Sequence, residues 1–308
     1  MRAEEIWRQP FTVLDGGLST QLEAAGYDLR DELWTARLLV DAPEAVVAAH
    51  RSFVDAGAEV LITASYQASL EGLVRAGCTA GEARAAIVGS TALARAGASP
   101  GVIVAASLGP YGAVLGDGSE YRGRYAISDT ELGDFHAGRL ELLAASEPDL
   151  IAIETMPSAR EVEIVLRLLA EYPRLRAWVA MTGGDGRHVW AGDSVESVAA
   201  VVGANAQVVG IGVNCVAPAI VSTMLGRLRG VSNLPLVAYP NHGRAWDGAE
   251  HRWIGDDTEP DLGELVGEWV EIGARLIGGC CGYGSTMVRT LAAIRDGGTR
   301  GIDANVDR

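Results

Sequence analysis

The chain has 308 residues and a net charge of −15, long enough to bury a large core as one α/β barrel or two smaller domains. All 25 basic residues are arginine, so Schiff-base lysine chemistry, a P-loop lysine and a kinase lysine are excluded, and the lack of a basic stripe excludes a nucleic-acid partner. No apolar run reaches the roughly 18 residues of a membrane span, and Glu4, Glu5 and Arg8 stand where a signal peptide needs an apolar core; the expected setting is the cytoplasm, where cysteines stay reduced for a metal rather than paired in disulfides.

Short β-branched apolar runs alternate with amphipathic stretches along the chain. Strands are predicted near 11–15, 58–64, 102–107, 149–154, 176–182, 207–214, 235–240 and 275–279, with helices at about 43–56, 80–96, 128–145, 158–171, 194–202, 217–229, 261–272 and 284–295. Thr79/Glu82, Ser128/Glu131 and Ser158/Glu161 have the spacing of capping boxes, and Asp193/Glu196 and Asp261/Glu264 repeat it with aspartate as the cap. Strict alternation predicts parallel strands with helices outside. Eight such units favour a single (β/α)8 TIM barrel, one domain over 1–308, with an open doubly wound sheet as the alternative. In a barrel the active site lies at the C-terminal strand ends. The loops at 16–42, 108–127 and 241–259 leave that face and are expected to wall and cover one site.

The unusual residues collect at the same face. Asp15 closes the first strand in Val13-Leu14-Asp15-Gly16-Gly17, and Glu154 closes the fourth in Ile151-Ala152-Ile153-Glu154-Thr155. A carboxylate at the end of an apolar strand is costly to desolvate unless a cation meets it. An ammonium group is the natural partner, and capping of a nearby loop is the alternative for both. Gly16 and Gly17 can bring backbone N–H groups close to a substrate carboxylate. Cys215 ends the sixth strand, and the vicinal pair Cys280 and Cys281 ends the eighth.

Neighbours on a regular strand face opposite ways, so the paired thiols serve one site only where the strand stops and turns. The glycines flanking them permit that turn. Three thiolates suit a thiophilic metal such as zinc and leave its fourth tetrahedral position open to substrate; core packing is the alternative, most readily for Cys215. Cys78, in a loop before a helix, stands apart as structural or incidental. Of the five histidines only His242 falls near the site, and solvent exposure is expected for it. Together these features describe an amino-acid binder beside a thiophilic metal, with small molecules as partners. Tyr111, Tyr121, Tyr125, Trp246 and Trp253 in the predicted lids offer faces to an onium group by cation–π attraction.

Leu14-Asp15-Gly16-Gly17, Ile62-Thr63-Ala64-Ser65-Tyr66-Gln67, Gly109-Pro110-Tyr111-Gly112, Asp117-Gly118-Ser119-Glu120-Tyr121, Glu154-Thr155-Met156-Pro157-Ser158, Gly212-Val213-Asn214-Cys215, Tyr239-Pro240-Asn241 and Gly278-Gly279-Cys280-Cys281 follow one another in that order. With them the chain resembles the homocysteine S-methyltransferases over nearly its full length. The resemblance implies a zinc-binding, homocysteine-binding barrel that methylates homocysteine to methionine. It also implies Cys215, Cys280 and Cys281 as zinc ligands, Asp15 and Glu154 as contacts of the homocysteine amino group, Asn214 as a further substrate contact, and no catalytic group beyond the zinc site. Without appended folate or cobalamin modules, the chain is similar to the short branch of that family, which uses the sulfonium donors S-methylmethionine or S-adenosylmethionine.

One departure is visible. Many relatives place an arginine and threonines directly after the paired cysteines, where this chain has Gly282-Tyr283-Gly284-Ser285. The competing expectations are a zinc enzyme acting on another thiol or a selenol, and a non-catalytic zinc or redox sensor, the redox version weakened by the lack of a C-x-x-C motif. The oligomeric state is left open.

Overall fold

Eight parallel strands alternate with eight outer helices in the computed structural model, which describes residues 3–8, 10–29, 33–243, 245–247, 252–254 and 262–297. The strands are β1 Thr12–Val13, β2 Val60–Ile62, β3 Ile103–Leu108, β4 Leu150–Met156, β5 Ala177–Met181, β6 Val208–Asn214, β7 Leu236–Tyr239 and β8 Ala274–Ile277. The helices are α1 Pro43–Asp55, α2 Ala80–Gly97, α3 Asp129–Ala145, α4 Ala159–Leu169, α5 Val195–Gly203, α6 Pro218–Val231, α7 Leu262–Ile272 and α8 Ser285–Arg295. Strand order runs β1-β8-β7-β6-β5-β4-β3-β2. The remaining seam is closed by a parallel bridge between Leu14 and Val60, with Asp15 N–H donating to the Val60 carbonyl at 3.0 Å and Glu59 N–H to that of Val13 at 2.8 Å. The sheet is therefore the expected barrel and not an open doubly wound one.

Both faces of every strand are covered, which is why the strands read as near-continuous apolar runs. Alternate residues divide into two buried clusters. Leu14, Val60, Ala105, Ala152, Trp178, Ala180 and Val237 fill the barrel interior, while Val13, Leu61, Ile151, Val179, Ile211 and Ile277 pack under the helices. A 3-10 turn at Ala3–Trp7 adds Ile6 to the interior cluster, and the Trp7 ring lies where a Cβ on Gly210 would sit. The core thus closes one end of the barrel and leaves the other to the loops after the strands.

Local capping follows the expected spacing in part. Thr79/Glu82 and Ser128/Glu131 form complete boxes. Ser158 caps α4, but the Glu161 carboxylate turns inward instead, accepting from Tyr111 N–H at 2.6 Å and pairing with His136 Nε2 at 2.8 Å. Ser194 rather than Asp193 caps α5, because Asp193 reaches across to accept from Ala159 N–H at 2.9 Å. Asp261 lies outside the described residues. The long loops contain structure of their own: a helix at Leu18–Ala24, short turns at Trp34–Arg37, Tyr111–Val114 and Ser119–Tyr121, and an antiparallel hairpin of Ala245–Asp247 with Arg252–Ile254.

Two glycines test the packing in opposite directions. A Cβ on Gly212, inside β6, would lie 1.8 Å from the Val237 carbonyl oxygen of β7, a backbone atom that cannot swing away, whereas nothing lies within 4 Å of a Cβ on the exposed Gly226 of α6. Gly212→Ala is expected to destabilise the fold by about 3 kcal/mol and Gly226→Ala to stabilise it by about 1 kcal/mol. Urea midpoints measure both, and an unshifted midpoint for Gly212→Ala would contradict the strand packing.

Candidate active site

The end of β8 is built for close approach. A Cβ on Gly278 would lie 2.6 Å from the Asp15 carbonyl oxygen, and Gly279 N–H donates to that same oxygen at 3.0 Å, so the loops after β1 and β8 run in contact. Cys280 N–H then donates to the Pro240 carbonyl at 2.8 Å, and the chain turns at Gly282 in the left-handed region, φ 89°. On the facing strand, Cys215 itself takes a positive φ of 49° directly after β6. These two bends deliver all three sulfurs to one point, within 4.8 Å of one another. Cys78 is half-buried elsewhere in the core.

Cys281 Sγ lies 3.8 Å from Cys215 Sγ and 3.9 Å from Cys280 Sγ. Two sulfurs bound tetrahedrally to zinc at about 2.3 Å would stand about 3.8 Å apart, so these separations fit a shared metal. The third pair departs from the thiolates expected from the sequence. Cys215 and Cys280 are joined as a disulfide, with Cα atoms 5.7 Å apart. The physical reason is the convergence itself, since strand ends that hold two Cα atoms at this separation are within reach of a bridge. Burial first, then the negative charges of Glu23, Glu120 and Glu154, push the remaining Cys281 thiol up to about 12. A cation at the cluster reverses that preference, because metal coordination favours the thiolate. With the disulfide reduced, the donor set can hold a metal ion.

The carboxylates lie beside it. Asp15 is 1 % exposed; its Oδ2 accepts from Ile62 N–H at 2.8 Å while Oδ1 has no partner. Burial, reinforced by the charge of Glu154, holds the Asp15 carboxyl well above the usual range. Glu154 is 6 % exposed and accepts hydrogen bonds from the hydroxyls of Ser107 and Tyr239; burial outweighs both and pushes it to about 7. Tyr239 in turn accepts from Trp178 Nε1 at 3.1 Å, which anchors the donor in the barrel interior.

Other expected contacts are committed within the chain. Thr155 bends β4 with a φ of 58°, where the register with β5 shifts. Asn214 Oδ1 accepts from Thr155 N–H at 2.7 Å and its Nδ2 donates to Thr155 Oγ1 at 2.7 Å, so this side chain supports the bend that aims Glu154. Gly17 N–H donates to the Tyr283 carbonyl at 2.8 Å, and a Cβ on Gly16 would lie 2.5 Å from that carbonyl oxygen. Both glycines line the cavity, and both are needed for the passage of the cysteine turn. The departure at Gly282-Tyr283-Gly284-Ser285 is tied to the Leu18–Ala24 helix: Gly282 N–H donates to Thr20 Oγ1 at 2.8 Å and Ser285 N–H to Gln21 Oε1 at 3.1 Å. His242 is buried, not exposed, because its ring packs where a Cβ on Gly282 would stand.

One cavity joins these groups. Asp15, Glu154, Asn214 and the three cysteines line it together with Trp34, Tyr66, Glu120 and Tyr121. Loops 16–42 and 108–127 contribute as expected, and the segment after β2, Ile62 to Gln67, adds a wall not anticipated. Of the aromatics read as lids, Tyr121 lines the cavity, whereas Tyr111 stacks edge-on with Tyr125 at 5.3 Å and Phe135 at 5.0 Å away from it. The side chains of Trp246 and Trp253 lie outside the described residues. Trp34, in the loop expected to wall the site, is a non-glycine at φ 49°, and Glu120, within the Asp117–Tyr121 motif, is buried; neither stands out as a site residue in the sequence. No arginine or histidine lines the cavity among the described residues, and none of their helices is long and apolar enough to cross a membrane.

Comparison with known proteins agrees with this site. A family model described as homocysteine S-methyltransferase matches residues 12–295. Homocysteine S-methyltransferase YbgG of Bacillus subtilis is 37 % identical over 296 residues, covering 92 % of this chain and 94 % of that protein. Homocysteine S-methyltransferase of Escherichia coli is 40 % identical, covering 94 % and 95 %. Among solved structures, the metallated form of the homocysteine methyltransferase MmuM from Escherichia coli superposes with a TM-score of 0.83 at 38 % identity, covering 93 % of this chain and 96 % of that one. Its oxidized form superposes with a TM-score of 0.84 at the same identity and coverage. The chain belongs to the homocysteine S-methyltransferase family.

Proposed function

We propose that the protein transfers a methyl group from a sulfonium donor, S-methylmethionine or S-adenosylmethionine, to the sulfur of homocysteine, giving methionine, with zinc held by Cys215, Cys280 and Cys281. The observation that carries this is the meeting of three cysteine sulfurs with two buried carboxylates at one barrel mouth. Zinc held by these cysteines would supply a cation that favours the thiolate form of a substrate sulfur. Asp15 Oδ1, buried without a partner, and Glu154 present negative oxygen to the substrate ammonium. Ion pairing there offsets the desolvation that holds both carboxyls high.

Tyr239 and Ser107 fix the Glu154 carboxylate in place, and the Asn214–Thr155 pair fixes its backbone. The aromatic walls exclude water. That matters because a thiolate and a sulfonium neutralise each other as the methyl moves, a change favoured by a dry site. The donor S–CH3 bond breaks with its electron pair left on the donor sulfur, and the carbon bonds to the homocysteine sulfur. No general base acts at the methyl carbon; in-line placement is the contribution left to the protein. Reduced thiols fit a reducing compartment such as the cytoplasm.

Metal loading is the first test. After reduction, one zinc per chain is expected in the unaltered protein and in Cys78→Ser, and loss of zinc in Cys215→Ser and Cys281→Ser. Full zinc and full activity in Cys281→Ser, by metal analysis and methionine assay, would overturn the ligand set.

The pH dependence is the second. Glu154 binds the ammonium only when ionised, so kcat/KM for homocysteine should fall as pH drops through about 7. Glu154→Gln should remove this limb and cost about 2–5 kcal/mol in kcat/KM with zinc content intact. Unchanged kinetics in both Glu154→Gln and Asp15→Asn would assign the carboxylates to structure.

A further inference from the structure

Three residues lining the cavity each carry a buried acceptor atom without a partner: Asp15 Oδ1, Glu120 Oε2 and Gln67 Oε1. Asp15 and Glu154 close apolar strand ends onto the same cavity, and the two suit one shared ammonium. Glu120 forms a separate acidic centre. It belongs to the Ser119–Tyr121 turn, is 8 % exposed, and lines the cavity together with Tyr66, Tyr121 and Cys281. The neighbouring Arg122 does not neutralise it by contact, because that guanidinium is bound to Asp117 Oδ2 at 2.9 Å and Ser119 Oγ at 2.7 Å.

A second buried carboxylate in a cavity that no described arginine or histidine lines is matched by a second cation, and a cationic methyl donor brings one. We propose that Glu120 holds the sulfonium charge of the methyl donor, in the cavity it shares with Tyr66 and Tyr121, and so selects charged donors over neutral ones. Carboxylate and aromatic faces recognise an onium group in complementary ways, one by charge and the other by ring quadrupole. When the methyl leaves, the donor becomes a neutral thioether. The attraction to Glu120 vanishes with the positive charge, so the same residue that captures the donor lets the demethylated product go.

This rests on the methyltransferase reading, but its test does not need turnover. S-methylmethionine and methionine share an ammonium and a carboxylate and differ by one methyl and the sulfonium charge. Calorimetry on reduced, zinc-loaded protein should show Glu120→Gln weakening S-methylmethionine binding about 10- to 100-fold while leaving methionine and homocysteine binding unchanged. Equal weakening of S-methylmethionine and methionine, or no change in either, would overturn the assignment. A methionine-formation assay on the unaltered protein reports separately on the catalytic reading. Failure there with Glu120-dependent sulfonium binding intact would count against methyl transfer and not against Glu120.

Discussion

Acidic and thiol groups buried together at one barrel mouth are the constraint on which this site depends. Asp15, Glu120, Glu154 and three cysteines line one cavity into which no described arginine or histidine projects, in a chain without lysine. Left alone, such groups take up protons, which is the direction burial drives Asp15, Glu120, Glu154 and Cys281. Arriving cations favour their charged forms. A metal at the sulfurs, an ammonium at Asp15 and Glu154 and an onium at Glu120 would supply one positive centre for each cluster. Catalytic competence is then tied to full occupancy, since each ligand stabilises the ionised form that receives it.

The barrel makes this possible by putting rigid strand ends under the charges. The Asp15 carbonyl accepts from Gly279, and Gly17 donates to the Tyr283 carbonyl, so the loop carrying one carboxylate and the loop carrying two cysteines form a single unit. Glu154 is aimed by a positive-φ bend at Thr155, which Asn214 holds with both ends of its amide. The same closeness lets Cys215 and Cys280 join. A metal site and a disulfide are alternative states of one geometry, and reduction is the condition for the first.

Much of this was legible in the sequence because the signals are local. Period and capping placed all eight strands and helices, and residues that end apolar strands, Asp15, Glu154, Cys215 and Cys280 with Cys281, must face the barrel mouth wherever the loops go. What was not legible depends on folding of the loops. Glu120 sits in a turn whose inward direction no period encodes, and Tyr66 and Trp34 come from a family motif and an expected wall in which nothing local singles out either ring. Gly17 and Asn214 show a subtler limit. Residue type marks both as able to meet a substrate, but only the three-dimensional partners reveal that Gly17 N–H and both amide ends of Asn214 are spent inside the chain. Glu161 and Asp193 likewise had the spacing of caps, and tertiary partners claimed them.

The central claim is that the three sulfurs share a metal which the substrate sulfur completes. X-ray absorption at the zinc edge of the reduced, zinc-loaded protein measures this directly. The account predicts three sulfur neighbours at about 2.3 Å with one lighter ligand, changing to four sulfurs when homocysteine is added. A first shell of nitrogen and oxygen, or a shell that homocysteine leaves unaltered, would contradict it.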